Sequence, residues 1–524
     1  MKRRTNRLAA VAAVGLSAAL ALTACGGGAS SSSSSSSSDA ASAKADGTIT
    51  AAVAYENDNF SPISASSALV LGANWHVMEG LYELDMTNFK PYKALASTDD
   101  PKKISDTEYE VTLRDGAKYS DGSEVKAADL ANSFQKNTAE GALYAPMLSF
   151  IESMTAKDDK TVDIKLKYPF AALKERLSLV KAFPASATDD DLIHPIGSGP
   201  YKYASITKSA VEFEKNDNYN GDRPAKAAKM HWDVIKDDTA RATAAQSGDV
   251  EAMEAVPAAM KSTVESGGAK VEKVQGFGLP FLMFNTKKAP FDNEKVRQAF
   301  FYAIDTDKLI QNGMSGEAKA ATSFLPENHP NYHKAKVVYK HDPAKAKELL
   351  KEAGVSDLSV TLLTTDHPWI QALSPQIKND LDAVGIKTTI KAEASASLYA
   401  NNTDTDSPNF DVVLAPGDPS VFGNDVDLLL NWWYGDSTWT QKRTQWKGSD
   451  GYNKLHELMQ KAVTSSGDEQ QKDWNECFDL LSEQVPLYPL FHKQVATAYY
   501  PDQLTNFKPI GTTGLYFLGV GSTK

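Results

Sequence analysis

The chain is poor in the residues that build metal centres and disulfide frameworks. It has only two cysteines, Cys25 and Cys477, in 524 residues, so no more than one internal disulfide can form. It has nine histidines, and the only close pair, His329 and His333, is interrupted by Pro330, which argues against two metal ligands on one helical face. The sequence therefore predicts no metal site.

Common catalytic motifs are absent as well. The sequence has no His-Glu-x-x-His zinc motif, no Gly-x-Ser-x-Gly nucleophile turn and no Gly-x-x-x-x-Gly-Lys-Ser/Thr phosphate loop. Carboxylate pairs such as Asp425 and Asp427 are frequent at this composition and do not by themselves indicate glycoside hydrolysis. We predict a protein that is not an enzyme and has no cofactor, with an exported, lipid-anchored hydrolase as the less favoured alternative.

A single long apolar run is present, and it lies at the N-terminus. It covers residues 8–21, follows four basic residues and ends in Leu22-Thr23-Ala24-Cys25. A cationic segment before an apolar run too short for a permanent membrane span is typical of a signal peptide. The last four residues resemble a lipobox, so we predict a signal peptide over 1–24, lipidation of Cys25 and attachment to the extracellular face of the cell membrane. An ordinary secretory peptide is the alternative.

Residues 25–46 are rich in glycine and serine and have no apolar periodicity, which predicts a flexible tether. No later apolar stretch approaches transmembrane length, so the lipid would be the only membrane attachment. The chain has 55 Lys and Arg against 67 Asp and Glu, a formal charge of -12. An acidic chain binds polyanions poorly, so we expect no nucleic-acid partner.

The body of the chain, from Gly47 to Lys524, is longer than one hydrophobic core usually supports, so we expect two or three domains. Its apolar periodicity alternates between the strand and the helix pattern. The pattern predicts strands over 46–55, 108–114, 161–166, 359–363, 387–390 and 410–414, and helices over 69–84, 127–138, 293–310 and 342–353. The fold class predicted is α/β with mixed sheets.

Ordered blocks of the sequence resemble the family 5 solute-binding proteins, the peptide, oligopeptide and nickel receptors of ABC importers. The blocks are 78–84, 92–96, 109–122, 128–130, 195–201, 244–250, 284–285, 290–292, 296–305, 342–354 and 381–386. They cover nearly the whole chain after the tether.

The resemblance implies a bilobal fold of the periplasmic-binding-protein type, of the larger class with an extra subdomain. It places lobe I at 47–285 with an inserted subdomain at about 85–195, lobe II at 286–487, and a return to lobe I at 488–524. It also implies a monomeric receptor that captures oligopeptides between the lobes and delivers them to membrane permease subunits that work with cytoplasmic ATPases. An oligosaccharide or another solute is the alternative ligand, and a nickel or other metal chelate is third.

The resemblance also suggests ligand contacts. In peptide-binding members, an aspartate near a Trp-x-x-Asp-x-x-Asp-Pro stretch pairs with the amino terminus of the ligand. Here Asp418 precedes Pro419, but the tryptophan is missing and the spacing is shorter, so Asp418 either binds the ligand amine or caps the turn. By resemblance alone, Ser66, Ala68 and Tyr144 also lie where relatives contact the ligand.

An aromatic cluster supplies the remaining candidates. Trp432, Trp433 and Trp439 are three of the eight tryptophans, and they lie close to Asp436 in a loop-like context. Such a cluster either packs in the core or forms a wall that stacks on a ligand. We include these four residues in the predicted ligand site.

Overall fold

The computed structural model describes residues 42–55, 59–65, 67–140 and 142–524. The predicted signal peptide, Cys25, most of the predicted tether and Ser66 lie outside these ranges. The last part of the predicted tether is attached to the body, since the Lys44 amide donates to the Ser522 carbonyl at 2.9 Å. Within the described residues, no helix has the length and apolarity needed to cross a membrane.

Strands and helices alternate along the chain. The strands are β1 (Thr48–Val53), β2 (Tyr82–Asp85), β3 (Lys90–Lys93), β4 (Lys102–Lys103), β5 (Glu108–Thr112), β6 (Ile151–Ala156), β7 (Thr161–Leu166), β8 (Tyr201–Ile206), β9 (Ala210–Lys215), β10 (Lys229–Val234), β11 (Ala252–Met253), β12 (Lys270–Gln275), β13 (Leu279–Phe284), β14 (Ala318–Ala320), β15 (Ser359–Thr365), β16 (Lys387–Glu393), β17 (Val412–Gly417), β18 (Leu487–Pro489), β19 (Phe491–Tyr499), β20 (Leu504–Thr505) and β21 (Gly521–Ser522). The helices are α1 (Ala68–Val77), α2 (Ala127–Asn137), α3 (Leu173–Arg176), α4 (Asp238–Ser247), α5 (Lys261–Ser266), α6 (Glu294–Ala303), α7 (Thr306–Gly313), α8 (Pro343–Glu352), α9 (Pro368–Ala383), α10 (Ser395–Leu398), α11 (Val426–Tyr434), α12 (Asp450–Thr464) and α13 (Gly467–Gln484).

The first sheet has eight strands in the order β12-β19-β11-β1-β10-β9-β8, with β14 paired to β19. Strand β1 lies in its middle and runs parallel to β10 and β11, and its apolar residues pack into a core with rings such as Trp232 and Phe213. A small four-stranded sheet, β4-β5-β7-β6, lies within the range predicted for the inserted subdomain. We call the part built on these two sheets lobe I.

The second sheet has the order β16-β15-β17-β13-β18, and we call the part built on it lobe II. The strands predicted over 359–363, 387–390 and 410–414 are present as β15, β16 and β17. All six residues of β13 are buried because β13 lies between β17 and β18 and is covered on both faces.

The chain crosses between the sheets at two places. It leaves the first sheet after β12 and enters the second at β13, so the predicted end of lobe I at residue 285 is wrong by the length of that strand. It returns between β18 and β19, at Leu490. These two adjacent crossings form the connection between the lobes.

Two predicted helices are shorter than expected. The helix predicted over 69–84 ends at Val77, since Met78 already has extended backbone angles, and β2 follows from Tyr82. The helix predicted over 293–310 is divided into α6 and α7. Asp305 accepts from the Lys308 amide at 3.1 Å and so starts a new helix.

Cys477 lies in α13 with no exposed surface. Burial raises the pKa of its thiol, so it packs as a small apolar side chain.

Candidate functional site

A cleft lies between the lobes and encloses a cavity of about 40 Å³. Lobe I contributes Leu71 and Trp75 from α1, together with Tyr144 and Lys181. Lobe II contributes Phe422, in the turn that follows β17. The walls are mainly apolar, which suits the apolar side chains of a solute.

Tyr144 lies at the contact between the two lobes, and its predicted contact with a ligand stays a prediction. Its hydroxyl donates to the Ala65 carbonyl at 2.7 Å, and its ring meets the Phe422 ring edge to face with centroids 5.4 Å apart. Ala68 is the first residue of α1 and is half-buried. Ser66 lies outside the described residues, so its predicted ligand contact stays a prediction.

Asp418 caps a turn and also connects that turn to the C-terminal segment. Its Oδ1 accepts from the amide and the hydroxyl of Ser420, and its Oδ2 accepts from the amide of Thr513 at 3.0 Å and from its hydroxyl at 2.8 Å. Thr512 donates a longer bond of 3.3 Å to the same oxygen. Burial raises the pKa of the carboxyl. Of the two roles that the sequence left open, this geometry matches the turn cap.

The tryptophan cluster is divided between core and cleft. Trp433 has no exposed surface, and its ring packs against Phe277, Phe281 and Trp439 with centroids 5.7 to 6.3 Å apart. A Cβ on Gly417 would be 2.4 Å from its ring, so no room remains on that side. The prediction that Trp433 forms a ligand wall is therefore wrong for this structure, because the apolar core of lobe II occupies its faces.

The other cluster members lie at different depths. Trp432 is half-buried and meets the Phe422 ring at 4.9 Å, which puts it beside a cleft residue. Trp439 is 8% exposed, with the Arg443 guanidinium 4.3 Å from its ring centre. Asp436 is exposed and pairs with Lys447 at 2.7 Å, so its charge is already matched at the surface.

An ion cluster joins the lobes beside the cleft. Arg176 has no exposed side-chain surface, and its Nη2 donates to Asp425 Oδ1 at 2.5 Å and to Asp427 Oδ2 at 3.0 Å. Its Nη1 donates to the Met147 carbonyl. Arg176 belongs to lobe I and both aspartates to lobe II, so the pair forms only while the lobes are in contact. The sequence analysis missed this role because the partners are 249 and 251 residues apart and follow no local motif.

The model of the bacterial extracellular solute-binding proteins, family 5, matches residues 90–453. The chain belongs to this family. It is 27% identical to a glutathione-binding protein of Salmonella typhi over 499 residues, which are 91% of this chain and 94% of that protein. It is 30% identical to a glutathione-binding protein of Pectobacterium atrosepticum over 352 residues, 64% of this chain and 67% of that protein.

Solved structures show the same fold. A dipeptide-binding protein of Pseudoalteromonas in complex with Met-Leu matches with a TM-score of 0.77 and 18% identity, over 91% of this chain and all of that one. An Agrobacterium tumefaciens binding protein in complex with agropinic acid matches with a TM-score of 0.78 and 23% identity, over 89% and 96% of the two chains. The predicted bilobal α/β fold is thus confirmed, and these family 5 relatives are binding proteins rather than enzymes.

A second group of residues between the lobes was also missed by the sequence analysis. Lys493 on β19 of lobe I places its ammonium 4.1 Å from the ring centre of Trp369, in the first turn of α9 of lobe II. Tyr55, just after β1, lies against His367, with ring centroids 6.4 Å apart. A scattered lysine, histidine, tyrosine and tryptophan form no recognisable motif, so only the tertiary structure brings them together.

Proposed function

We propose that this family 5 protein is the extracellular receptor of an ABC importer, that it is anchored through a lipid on Cys25, and that it captures oligopeptides or peptide-derived solutes between its lobes. The observation that carries the proposal is the cleft itself, whose walls come from both lobes. A solute that contacts both walls binds the closed arrangement better than the open one and so favours closure. The closed receptor then delivers the solute to the permease.

Peptides are the leading class for two reasons. The backbone of a peptide can be bound without regard to its side chains, while an apolar cleft accepts those side chains. The relatives also include proteins described as binding glutathione and a dipeptide, both of which are peptides. The chemistry shared by these ligands, an amide backbone with free charged ends, is what we propose this cleft accepts.

An oligosaccharide is the second candidate. The half-buried Trp432 beside Phe422 offers an aromatic face near the cleft, and such faces suit sugar rings. Asp418 engages in turn and segment contacts, which lowers the support for a peptide amine anchor at that position.

Thermal unfolding in the presence of ligand pools tests the proposal. The mature chain with Cys25→Ser is mixed with di- and tripeptides including glutathione, with oligosaccharides and with nickel chelates. A true ligand at 100 times its dissociation constant stabilises the protein by about 2.7 kcal/mol. We expect stabilisation by the peptide pool and recovery of the peptides uncleaved by mass spectrometry. Stabilisation by the sugar pool alone contradicts the peptide assignment, and cleavage of the peptides contradicts the receptor role.

A further inference from the structure

Two carboxylates of lobe II share one cation of lobe I where the lobes meet, and we call Arg176, Asp425 and Asp427 the interlobe cluster. A single nitrogen, Nη2 of Arg176, donates to Asp425 Oδ1 at 2.5 Å and to Asp427 Oδ2 at 3.0 Å. Nη1 of Arg176 donates to the Met147 carbonyl, and Nε is buried with no hydrogen-bond partner among the described residues. One positive charge therefore faces two negative charges.

The surrounding charges do not supply a second cation. In the described part of the chain, no lysine and no other arginine lies within ion-pair distance of Asp425 or Asp427. Glu175 on α3 of lobe I adds a third carboxylate, and its pKa is raised chiefly by burial and also by the charge of Asp425. Lys174 on the same helix already pairs with Asp100 at 2.9 Å. The cluster therefore carries excess negative charge.

The other polar groups that face the cluster are uncharged. His329 donates from Nε2 to the Asn424 carbonyl at 2.8 Å and accepts at Nδ1 from the Asn331 amide at 3.1 Å, so its ring is neutral. Burial lowers the pKa of this ring. Burial raises the pKa of the Tyr168 hydroxyl to about 12, and it also raises the pKa of the Cys477 thiol. None of these groups can offset the excess negative charge.

The excess charge is costly only while the lobes are in contact. Arg176 has no exposed side-chain surface, and the rings of Phe150 and Phe170 lie over its guanidinium at 5.7 and 5.3 Å. The side chains of Asp425 and Asp427 keep 20% and 13% of their exposure. An unbalanced charge in such a poorly hydrated place is unfavourable, and of two carboxylates that share a site one holds its proton more strongly. When the lobes part, water reaches both carboxylates.

The two carboxylates differ in the contacts that keep them ionised. Asp425 is the N-cap of α11 and accepts from the Leu428 amide at 3.0 Å, so the helix N-terminus favours its charged form. Asp427 accepts from the side-chain amide of Asn431 at 2.9 Å, and its contact with Arg176 is the longer of the two. Burial raises the pKa of the Asp427 carboxyl. Asp427 is therefore the group that gains a proton.

We propose that the interlobe cluster takes up one proton, on Asp427, when the lobes close, so that acid favours the closed arrangement. The proton comes from water and leaves one negative charge, on Asp425, against the one positive charge of Arg176. It returns to water when the lobes part. This coupling goes beyond the proposed function, because it involves the two lobes and a proton whichever solute enters the cleft.

Acid should raise the ratio of closed to open molecules. The closed arrangement holds the proton of Asp427 at a higher pH than the open one, in which the carboxyl has its ordinary pKa of about 3.8. The ratio therefore starts to rise as the pH falls through the pKa of the closed arrangement, and it stops rising below about 3.8. Between these limits, uptake of one proton changes the ratio about tenfold per pH unit.

Energy transfer between two dyes, one on each lobe, measures closure without any solute. The starting protein is the mature chain with Cys25→Ser, in which the buried Cys477 is the one remaining thiol. The dyes are attached at Lys208→Cys in lobe I and Lys351→Cys in lobe II, both of which are exposed positions. A second pair at Lys208→Cys and Lys226→Cys, both in lobe I, reports any response of the dyes themselves to pH.

Three variants are compared in this background. Asp427→Asn is uncharged but keeps an acceptor oxygen for Arg176, Glu175→Gln removes the third carboxylate, and Asp357→Asn removes an exposed carboxylate of lobe II as the matched control. With Asp427 present, we expect the ratio of closed to open molecules to rise at least about tenfold from pH 7.5 to 4.5. Glu175→Gln and Asp357→Asn should keep this response. Asp427→Asn should have the high ratio already at pH 7.5 and change little with pH.

Three results would overturn the proton uptake. The first is a ratio that does not change with pH, or rises with pH, while Asp427 is present; this measurement needs no cluster variant, so it decides even where Asp427→Asn folds poorly. The second is a pH response that persists in Asp427→Asn, because another group then binds the proton. The third is loss of the response in Glu175→Gln, which would assign the proton to Glu175. The receptor role is tested separately by the thermal screen and can stand without the proton.

Discussion

Replacing Arg176 with methionine should weaken solute binding far more than it destabilises the free protein. Arg176 of lobe I is fully buried against Asp425 and Asp427 of lobe II, at 2.5 and 3.0 Å. Methionine replaces the aliphatic part of the arginine side chain but carries no charge, so the two carboxylates lose their shared counterion whenever the lobes meet. When the lobes part, both carboxylates reach water, and the loss of the arginine then costs little.

The magnitude follows from the burial of the partners. Removing one partner of a fully buried ion pair costs about 3 to 5 kcal/mol. The side chains of Asp425 and Asp427 keep 20% and 13% of their exposure, so solvent screens part of the interaction. We therefore expect about 2 kcal/mol, which lowers the ratio of closed to open molecules about 30-fold. The apparent affinity falls by the same factor where the open form predominates without solute.

The measurement pairs calorimetric titration of a bound peptide with thermal unfolding of the free protein. Lys174→Met is the matched control, because Lys174 is two residues away and pairs at 2.9 Å with Asp100, also in lobe I. The control should bind as the unmodified protein does. A lower unfolding temperature of free Arg176→Met with unchanged affinity would refute the reasoning, because the ion pair would then stabilise the fold and not the closed arrangement.

The remaining predictions concern pH, the tryptophans, the turn and the anchor. The His76 ring accepts a hydrogen bond from the Phe517 amide at 2.8 Å, and burial lowers the pKa of the ring from 6.5 to about 4. The unfolded chain therefore binds a proton at a higher pH than the folded chain does, and the free energy of unfolding should fall by up to about 3 kcal/mol as the pH drops from 6.5 to 4. In urea titrations at several pH values, His76→Asn should weaken this dependence of the unfolding free energy on pH. Trp433→Ala should lower the unfolding free energy by about 3 to 5 kcal/mol, because Trp433 is fully buried. Trp432→Ala should leave the unfolding free energy nearly unchanged and weaken solute binding by about 1 kcal/mol, because Trp432 is half-buried. Equal effects of the two variants on stability would contradict the division of the cluster between core and cleft. Asp418→Asn should lower the unfolding free energy by about 1 kcal/mol, because it weakens the hydrogen bonds to Ser420 and Thr513. The variant should keep the preference of the protein for peptides with a free amino terminus over N-acetylated peptides. Loss of that preference would instead support Asp418 as the anchor of the ligand amine. Cys25→Ser should release the protein from membrane fractions, and its retention after a high-salt wash would count against the lipid anchor.

The parts of the fold that were predicted correctly depend on local sequence. Strands β15, β16 and β17 are short β-branched or apolar runs with clear ends, and their pattern is enough to place them. The lobe boundary at residue 285 came from family resemblance, and only the pairing of β13 with β17 and β18 shows that this strand belongs to the second sheet.

The site was harder to predict than the fold for the same physical reason. Tyr144 was placed by family resemblance, whereas Arg176 and Lys493 follow no motif and gain their roles from partners on the other lobe. Trp433 was misplaced because density of aromatic residues in the sequence does not distinguish a core from a cleft wall.

The Arg176 ion pair acts on closure of the lobes rather than on the choice of solute. The Arg176 ion pair forms between protein groups alone, so it contributes equally to closure around every solute. Loss of this pair should therefore lower the affinity for every solute by about the same factor and leave the order of the affinities unchanged.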